Sequence, residues 1–387
     1  MRVLLSFLLL GYLLTGCKKQ SDIEKEPDTI VYFTSRGGSL YALDALTGTQ
    51  RWKCLLDSVY NVGGYIPNLN ISSPIFEKGI LYVGHSNGSL YAVDAKTGTK
   101  KWEYKAEASI HSSPTVANGI VYVGSNDKNL YAIDGITGKK RWAYTTGDWV
   151  YSSPAVVNGV VYVGSLDNRL YALDALSGVK KWEFDTGSAI YSSPTVENGQ
   201  VYISSTLDVD AILTGITGKV FSINAASGVK RWEYVRERYA KSRLVSPIIY
   251  NGVLYTAGDI MVQAVDATNG TKKWELDLRN DFSSSPVIVD STLYIGRNDG
   301  QSMVAININT GTRRWRTFTN PYDTVCSPVV ANGLVYFGGP EDFYALDAVR
   351  GHLKWQFKAG SYVCSNALVV KNGEVYGAYS TDSGTRN

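Results

Sequence analysis

The sequence predicts an all-β fold, an eight-bladed β-propeller of four-stranded antiparallel blades, on three observations. Tryptophan recurs at Trp52, Trp102, Trp142, Trp182, Trp232, Trp274, Trp315 and Trp355, mostly about forty residues apart. A period of that size marks an array of supersecondary units. Within each period lie four short runs rich in β-branched and aromatic residues, which read as strands. The same two turn signals recur between them, Asn-Gly after the first run and Asp-x-x-(Thr/Ser)-Gly after the third.

The first element lies before the array. Arg2 supplies positive charge, Val3 to Leu14 is apolar, and Thr15-Gly16 precedes Cys17. This reads as a secretory signal over residues 1–16, too short to be a spanning helix. Leu14-Thr15-Gly16-Cys17 resembles the lipobox of bacterial lipoproteins, so Cys17 is expected to carry a lipid. Residues 17–28 offer almost nothing apolar to bury and should form a solvated tether, reaching on the order of 20 Å. No later segment is long and apolar enough to cross a bilayer, which leaves the lipid on Cys17 as the expected membrane anchor.

The propeller is expected to occupy residues 29–387. Its clearest unit runs through Ser113-Pro114-Thr115-Val116, Asn118-Gly119, Ile120 to Gly124, Leu130 to Asp134, Thr137-Gly138 and Trp142-Ala143-Tyr144. These are strands A to D. Asn-Gly accepts positive φ at both central positions of a type I′ hairpin turn, so the A to B connection is tight. It recurs at Asn158-Gly159, Asn198-Gly199, Asn251-Gly252, Asn332-Gly333 and Asn372-Gly373. The C to D turn recurs as Asp94 to Gly98 and Asp174 to Gly178, its aspartate placed to hydrogen-bond local backbone. Four antiparallel strands per repeat, arrayed radially, make a propeller. A tryptophan in every outer strand then supplies the same apolar wedge at each interface between blades. The first unit begins at a B-like strand, Thr29 to Ser35, with no strand A of its own. Ser365 to Val370 matches strand A and should fill that place. Glu374 to Ser380 also matches strand B, so two segments compete for one slot.

The string Tyr-Ala-x-Asp-x-x-Thr-Gly-x-x-x-Trp, at Tyr91 to Trp102 and Tyr131 to Trp142, resembles the PQQ-like repeat, over nearly the whole chain after the tether. That family includes eight-bladed quinone-dependent alcohol dehydrogenases and BamB-like lipoproteins of the outer-membrane barrel-assembly machinery. The resemblance implies an outer-membrane lipoprotein facing the periplasm or the cell surface, and a scaffold that binds an envelope protein rather than an enzyme. The dehydrogenases hold quinone and calcium with acidic and amide residues and, in some, adjacent cysteines; none of these carries over, because no two cysteines are neighbours and little chain lies beyond the repeats. No cofactor and no catalytic set are therefore expected. The alternatives are a quinone-binding dehydrogenase or sensor and a propeller that binds surface glycans.

Composition narrows the classes further. A net charge of +3 gives no reason to expect nucleic acid. His85, His111 and His352 show no ligand spacing, so no metal site is expected and they read as surface or loop residues. Cys54, Cys326 and Cys364 are too few for a disulfide framework. Cys326 and Cys364 hold equivalent places in successive units, which leaves open a bridge across blades or two buried thiols. Basic residues precede nearly every periodic tryptophan, among them Arg51, Lys140-Arg141, Lys180-Lys181, Lys230-Arg231 and Lys354. They read as edge protection of the outer strand, or as a positive collar toward anionic headgroups or an acidic partner.

Departures from the repeat carry the functional signal. The stretch from Trp52 to Pro74 is longer than its counterpart from Trp102 to Pro114, which inserts Leu55 to Asn70 with Tyr60 and Tyr65 into a D to A connection. A second insertion, Thr206 to Gly218, separates strands B and C of the fifth unit. In an antiparallel four-stranded blade these two kinds of connection emerge on one face. Trp149, outside the repeat, falls on that face too, and His111, Tyr151, Tyr191 and Arg243 lead into strand A, where they should line the channel mouth. These residues form the expected partner or ligand site; simple plugging of the mouth is the other reading.

Overall fold

The computed structural model describes residues 28–57, 71–206, 216–237, 245–258, 261–278, 284–296, 302–318, 326–363, 365–376 and 378–379. Their regular structure is entirely β, arranged as eight antiparallel sheets. Blade 3 shows the pattern: strand A is Thr115–Ala117, B Ile120–Gly124, C Asn129–Asp134 and D Lys140–Thr145. Asn118 and Gly119, at φ 51° and 72°, make the tight A to B turn that the sequence predicts. Val116 faces Val121, Tyr122 faces Ala132, and Ala132 faces Trp142. The C and D ladder then slips by one residue, so that Ile133 faces Lys140 and Arg141 is the extra residue of a β-bulge. The slip recurs in every blade. A bulge re-aims side chains. Here it turns the tryptophan to the next blade and the preceding cation back to its own.

Strands B and C pack on both faces, which is why they read as nearly continuous apolar runs; Val121, Tyr122 and Val123 are at most 1% exposed. The core is accordingly divided into clusters, each shared by two adjacent blades, as where Tyr82 and Ala92 of blade 2 meet Val121, Val123 and Tyr131 of blade 3. Every periodic tryptophan bridges such an interface. Trp102 Nε1 donates to the Gly135 carbonyl of the next blade at 3.0 Å, Trp142 to Ala175 at 3.0 Å and Trp182 to Ala225 at 3.0 Å. The strand B tyrosines donate to the same carbonyls, Tyr82 to Gly135 at 3.0 Å and Tyr122 to Ala175 at 3.0 Å.

Ring closure follows the same rule. Trp355 Nε1 donates to Ala45 at 3.2 Å, and Phe33 stacks on Phe343 with centroids 4.1 Å apart. Leu368–Lys371 pairs with Thr29–Ser35, Val369 facing Val31, and so supplies the missing strand A of blade 1. The competition for strand B resolves in favour of Thr29–Ser35, whose Val31 and Phe33 are fully buried. Glu374–Val375 instead folds back along the inner edge of Leu368–Lys371, and Ala378–Tyr379 adds to the inner edge of strand A in blade 8. Both extend their sheets to five strands toward the axis.

The two faces are distinct in their hydrogen bonds. On one, D to A connections bond B to C turns: Ile110 N to His85 O at 3.0 Å, Asn126 N to Ser109 O at 2.8 Å, Leu166 N to Trp149 O at 3.0 Å. On the other, C to D turns bond A to B turns, as in Gly135 N to Gly119 O and Ala175 N to Gly159 O, both at 2.9 Å.

Candidate functional site

Strand D of blade 1 (Gln50–Leu55) includes Leu55, the first residue of one expected insertion, and strand C of blade 5 (Ile216–Asn224) takes in the last three residues of the other, which opens after strand B (Gln200–Ser205); residues 58–70 and 207–215, most of both, lie outside the described residues. Tyr60, Tyr65 and Arg243, like Cys17, lie outside the described residues. The described ends of the insertions are tied to their neighbours. The Asp57 carboxylate accepts from Asn87 Nδ2 at 2.7 Å, and Thr206 N donates to Ala189 O at 3.1 Å.

Three of the expected site residues come together. His111 stacks on Tyr151 with centroids 5.0 Å apart and planes at 17°, and Tyr151 meets Tyr191 edge-on at 5.9 Å. They form a half-buried aromatic arc across blades 3, 4 and 5. Each is followed by a buried serine that holds its own blade: Gly124 N donates to Ser112 Oγ at 3.1 Å, and Gly164 N to Ser152 Oγ at 3.2 Å. The next serine holds the neighbouring blade, with Ser73 N donating to Ser113 Oγ at 3.2 Å, Ser113 N to Ser153 Oγ at 2.9 Å and Ser153 N to Ser193 Oγ at 3.1 Å. This belt around the axis gives the arc a rigid base. Sequence reading missed it, although the recurring Ser-Ser-Pro before strand A was its signal. Trp149 lies on the same face and keeps 46% of its surface exposed.

A second missed feature is the pair Arg236 and Gln263. Arg236, near the end of strand D of blade 5 (Lys230–Glu237), is 3% exposed. Its Nε donates to Gln263 Oε1 of blade 6 at 2.7 Å, and Nη2 to the Gly258 carbonyl at 3.0 Å. Arg236 stands where blades 2 and 3 have Ala106 and Thr146, and Gln263 where they have Tyr91 and Tyr131. The joint departure from the repeat was its signal.

His85 corrects the sequence reading. It is 1% exposed rather than a surface residue, its Nδ1 accepts from Asn87 N at 3.0 Å, and burial holds its imidazole below the ordinary pKa. Cys326 Sγ donates to the Val363 carbonyl at 3.0 Å, while Cys364 lies outside the described residues. Among the described residues no three His, Cys, Asp or Glu side chains gather as metal donors.

The basic collar is largely neutralised within each blade. The bulged cation pairs with the turn aspartate: Lys101 with Asp94 at 3.2 Å, Arg141 with Asp134 at 2.6 Å, Lys181 with Asp174 at 3.3 Å, Lys273 with Asp266 at 3.0 Å. The aspartate also does the expected backbone work, its other oxygen accepting from Thr137 N at 2.9 Å in blade 3. The Arg141 hydrogen bond, then those of Thr137, hold the Asp134 carboxyl well below the usual range. Blades 5 and 7 break the rule, because Asn224 and Asn307 replace the aspartate that would face Arg231 and Arg314.

The family model described as outer membrane protein assembly factor BamB matches residues 36–151, 106–244 and 146–326. The chain is 28% identical over 156 residues to outer membrane protein assembly factor BamB of Moranella endobia (strain PCIT), covering 35% of this chain and 39% of that protein. It is 29% identical over 136 residues to quinohemoprotein alcohol dehydrogenase ADH-IIG of Pseudomonas putida, covering 29% of this chain and 19% of that one. The chain thus spans about two fifths and one fifth of these relatives' lengths. The crystal structure of BamB from Moraxella catarrhalis superposes with a TM-score of 0.62 at 16% identity, over 80% of this chain and 95% of that one, a likeness of fold. The overlapping family matches run from residue 36 to 326, across most of the eight blades, and the chain belongs to this BamB family of PQQ-like repeat propellers.

Proposed function

We propose that this protein is a lipid-anchored scaffold of the bacterial cell envelope, binding a protein partner through its insertion-bearing face in outer-membrane protein assembly. The observation that carries the reading is that both departures in length interrupt connections of one face, which also bears Trp149 and the belt-backed arc of His111, Tyr151 and Tyr191. Loops on a rigid scaffold are where binding surfaces usually lie. Family membership supports the assembly role.

Crosslinking in cells, followed by partner identification, tests it. Shortening each insertion to the length of its sibling in blade 3 should leave the ring folded and weaken capture, and Trp149→Ala should weaken it if the mouth takes part. Undiminished capture by both shortened variants overturns the assignment of the face. For the anchor, Cys17→Ala should give a released or uncleaved species; normal detergent partition after signal cleavage contradicts lipidation.

A second reading, a ring-shaped ligand such as a quinone or a surface sugar at the mouth, is favoured by the stacked His111 and Tyr151. Purified protein that carries no quinone absorbance and gains no dye-linked alcohol oxidation when quinone and calcium are added counts against its redox form.

A further inference from the structure

The face opposite the insertions carries exposed aliphatic side chains that the fold does not require. In successive blades 3, 4 and 5 the C to D turns present Ile136, Leu176, Val179 and Val229, exposed by 80%, 72%, 64% and 63%. Across the ring, Val349 and Leu46 of blades 8 and 1 hold the position of Ile136 and Leu176 and are 80% and 44% exposed. Blades 2, 6 and 7 place Lys96, Thr268 and Asn309 there, so a polar side chain satisfies the same turn. Single exposed aliphatics are ordinary. A set that recurs on one flat face asks for a surface to meet it.

Cations stand among them. Lys139 and Lys140, beside Ile136, enter no ion pair among the described residues, nor does Arg231, beside Val229, whose blade has Asn224 in place of the pairing aspartate. The chain also enters the ring on this face. The Thr29 carbonyl accepts from Ala45 N at 3.0 Å, as the glycine of an A to B turn does in other blades, and Asp28 pairs with Arg51 at 2.6 Å. Asp28, the first described residue, therefore lies on the aliphatic side.

We propose that this face docks on an anionic lipid surface, its aliphatic turn residues entering the headgroup layer while Lys139, Lys140 and Arg231 meet the phosphates. Aliphatic tips mixed with long cationic side chains are the composition of interfacial surfaces, and anionic headgroups attract each cation that lacks a local partner. A protein hot spot would gather large, mostly aromatic anchors at one centre. These residues are aliphatic and spread around the rim. The proposal rests on the membrane anchorage proposed above and deepens it, because docking of this face turns the insertions away from the membrane toward a partner.

The test uses the full-length, lipid-carrying protein in vesicles of phosphatidylglycerol with phosphatidylcholine, in vesicles of phosphatidylcholine alone, and in detergent. A water-soluble lysine acetylating reagent, read by mass spectrometry, reports Lys139 and Lys140, with Lys128 on the insertion face as control. The expected result is a several-fold loss of labelling at Lys139 and Lys140 with phosphatidylglycerol only, Lys128 unchanged, and recovery of labelling in the Ile136→Glu, Leu176→Glu double variant. Protein that floats with the vesicles while Lys139 and Lys140 label as in detergent overturns the docking and leaves the anchor standing. Equal protection on phosphatidylcholine alone, or protection of Lys128 instead, also overturns it. Failure to float with either vesicle overturns anchor and docking together.

Discussion

The Thr-Gly-x-x-x-Trp spacing of the repeat encodes a contact between neighbouring units. Trp142 lies against Gly178 of the next blade, where a Cβ would fall 2.8 Å from the indole Cδ2, and Gly178 also sits at φ 73°. Gly159, at the same φ, has open space around it. Gly159→Ala should therefore cost only the left-handed backbone strain, about 1–2 kcal/mol. Gly178→Ala should cost clearly more, because the tryptophan must also move. Equal losses in denaturant melts would remove the docking role from the glycine. By the same logic Trp182→Ala, which vacates an interface and leaves the Ala225 carbonyl to the Tyr162 hydroxyl alone, should cost about 3–5 kcal/mol. Trp149→Ala, at an exposed site, should barely shift the melt.

Between elements, the interface of blades 5 and 6 is held by a polar pair. Arg236 reaches from blade 5 to Gln263 in blade 6, at a place where blades 2 and 3 join through an alanine and a tyrosine. Arg236→Ala should cost about 1–3 kcal/mol, because it leaves the buried Gln263 amide oxygen without its donor. Adding Gln263→Tyr should recover most of that loss by restoring the pairing found between blades 2 and 3. A double variant no more stable than the single one in urea melts would show that Arg236 does not act through Gln263. The C-terminal strands divide in the same way. A chain ending at Tyr362 lacks strand A of blade 1 and should lose cooperative unfolding, whereas one ending at Tyr376 keeps Leu368–Lys371 and should melt as a closed ring.

At the scale of the whole ring, the strand B tyrosines act together. Burial pushes Tyr82, Tyr122 and Tyr255 from the ordinary 10.0 up to about 12. Above pH 10 an unfolded chain ionises these phenols while the folded ring keeps them protonated, so the unfolded state binds fewer protons and stability falls as pH rises. The contribution is complete below pH 10, is lost between pH 10 and about 12, and levels off beyond. Urea midpoints should decline steeply over that window. A midpoint that stays flat between pH 10 and about 12 would contradict the buried hydroxyl bonds to neighbouring blades.

The repeat was legible because every blade solves the same packing problem. Its period, strand order and two turns follow from local chemistry, and the structure agrees with each; the shared face of the insertions follows from strand parity, and most of their length lies outside the described residues. The sequence also put His111, Tyr151 and Tyr191 at one mouth, since equivalent positions of successive units are neighbours in a ring. What it left open depends on contacts between residues far apart in the chain. Whether Thr29–Ser35 or the C-terminal segment takes strand B turns on the fit of Phe33 against Phe343, 310 positions away in numbering and 4.1 Å in space. His85 reads as a surface or loop histidine, and it does open a turn, but it is buried, because burial is decided by what packs over a turn, not by the turn itself. Whether the cations before the tryptophans act as a collar also stayed open, because pairing of Arg141 with Asp134 requires the bulge, which no propensity announces. Periodicity determines which residues are equivalent; the closed ring alone decides which equivalents meet, because that depends on how neighbouring blades press together.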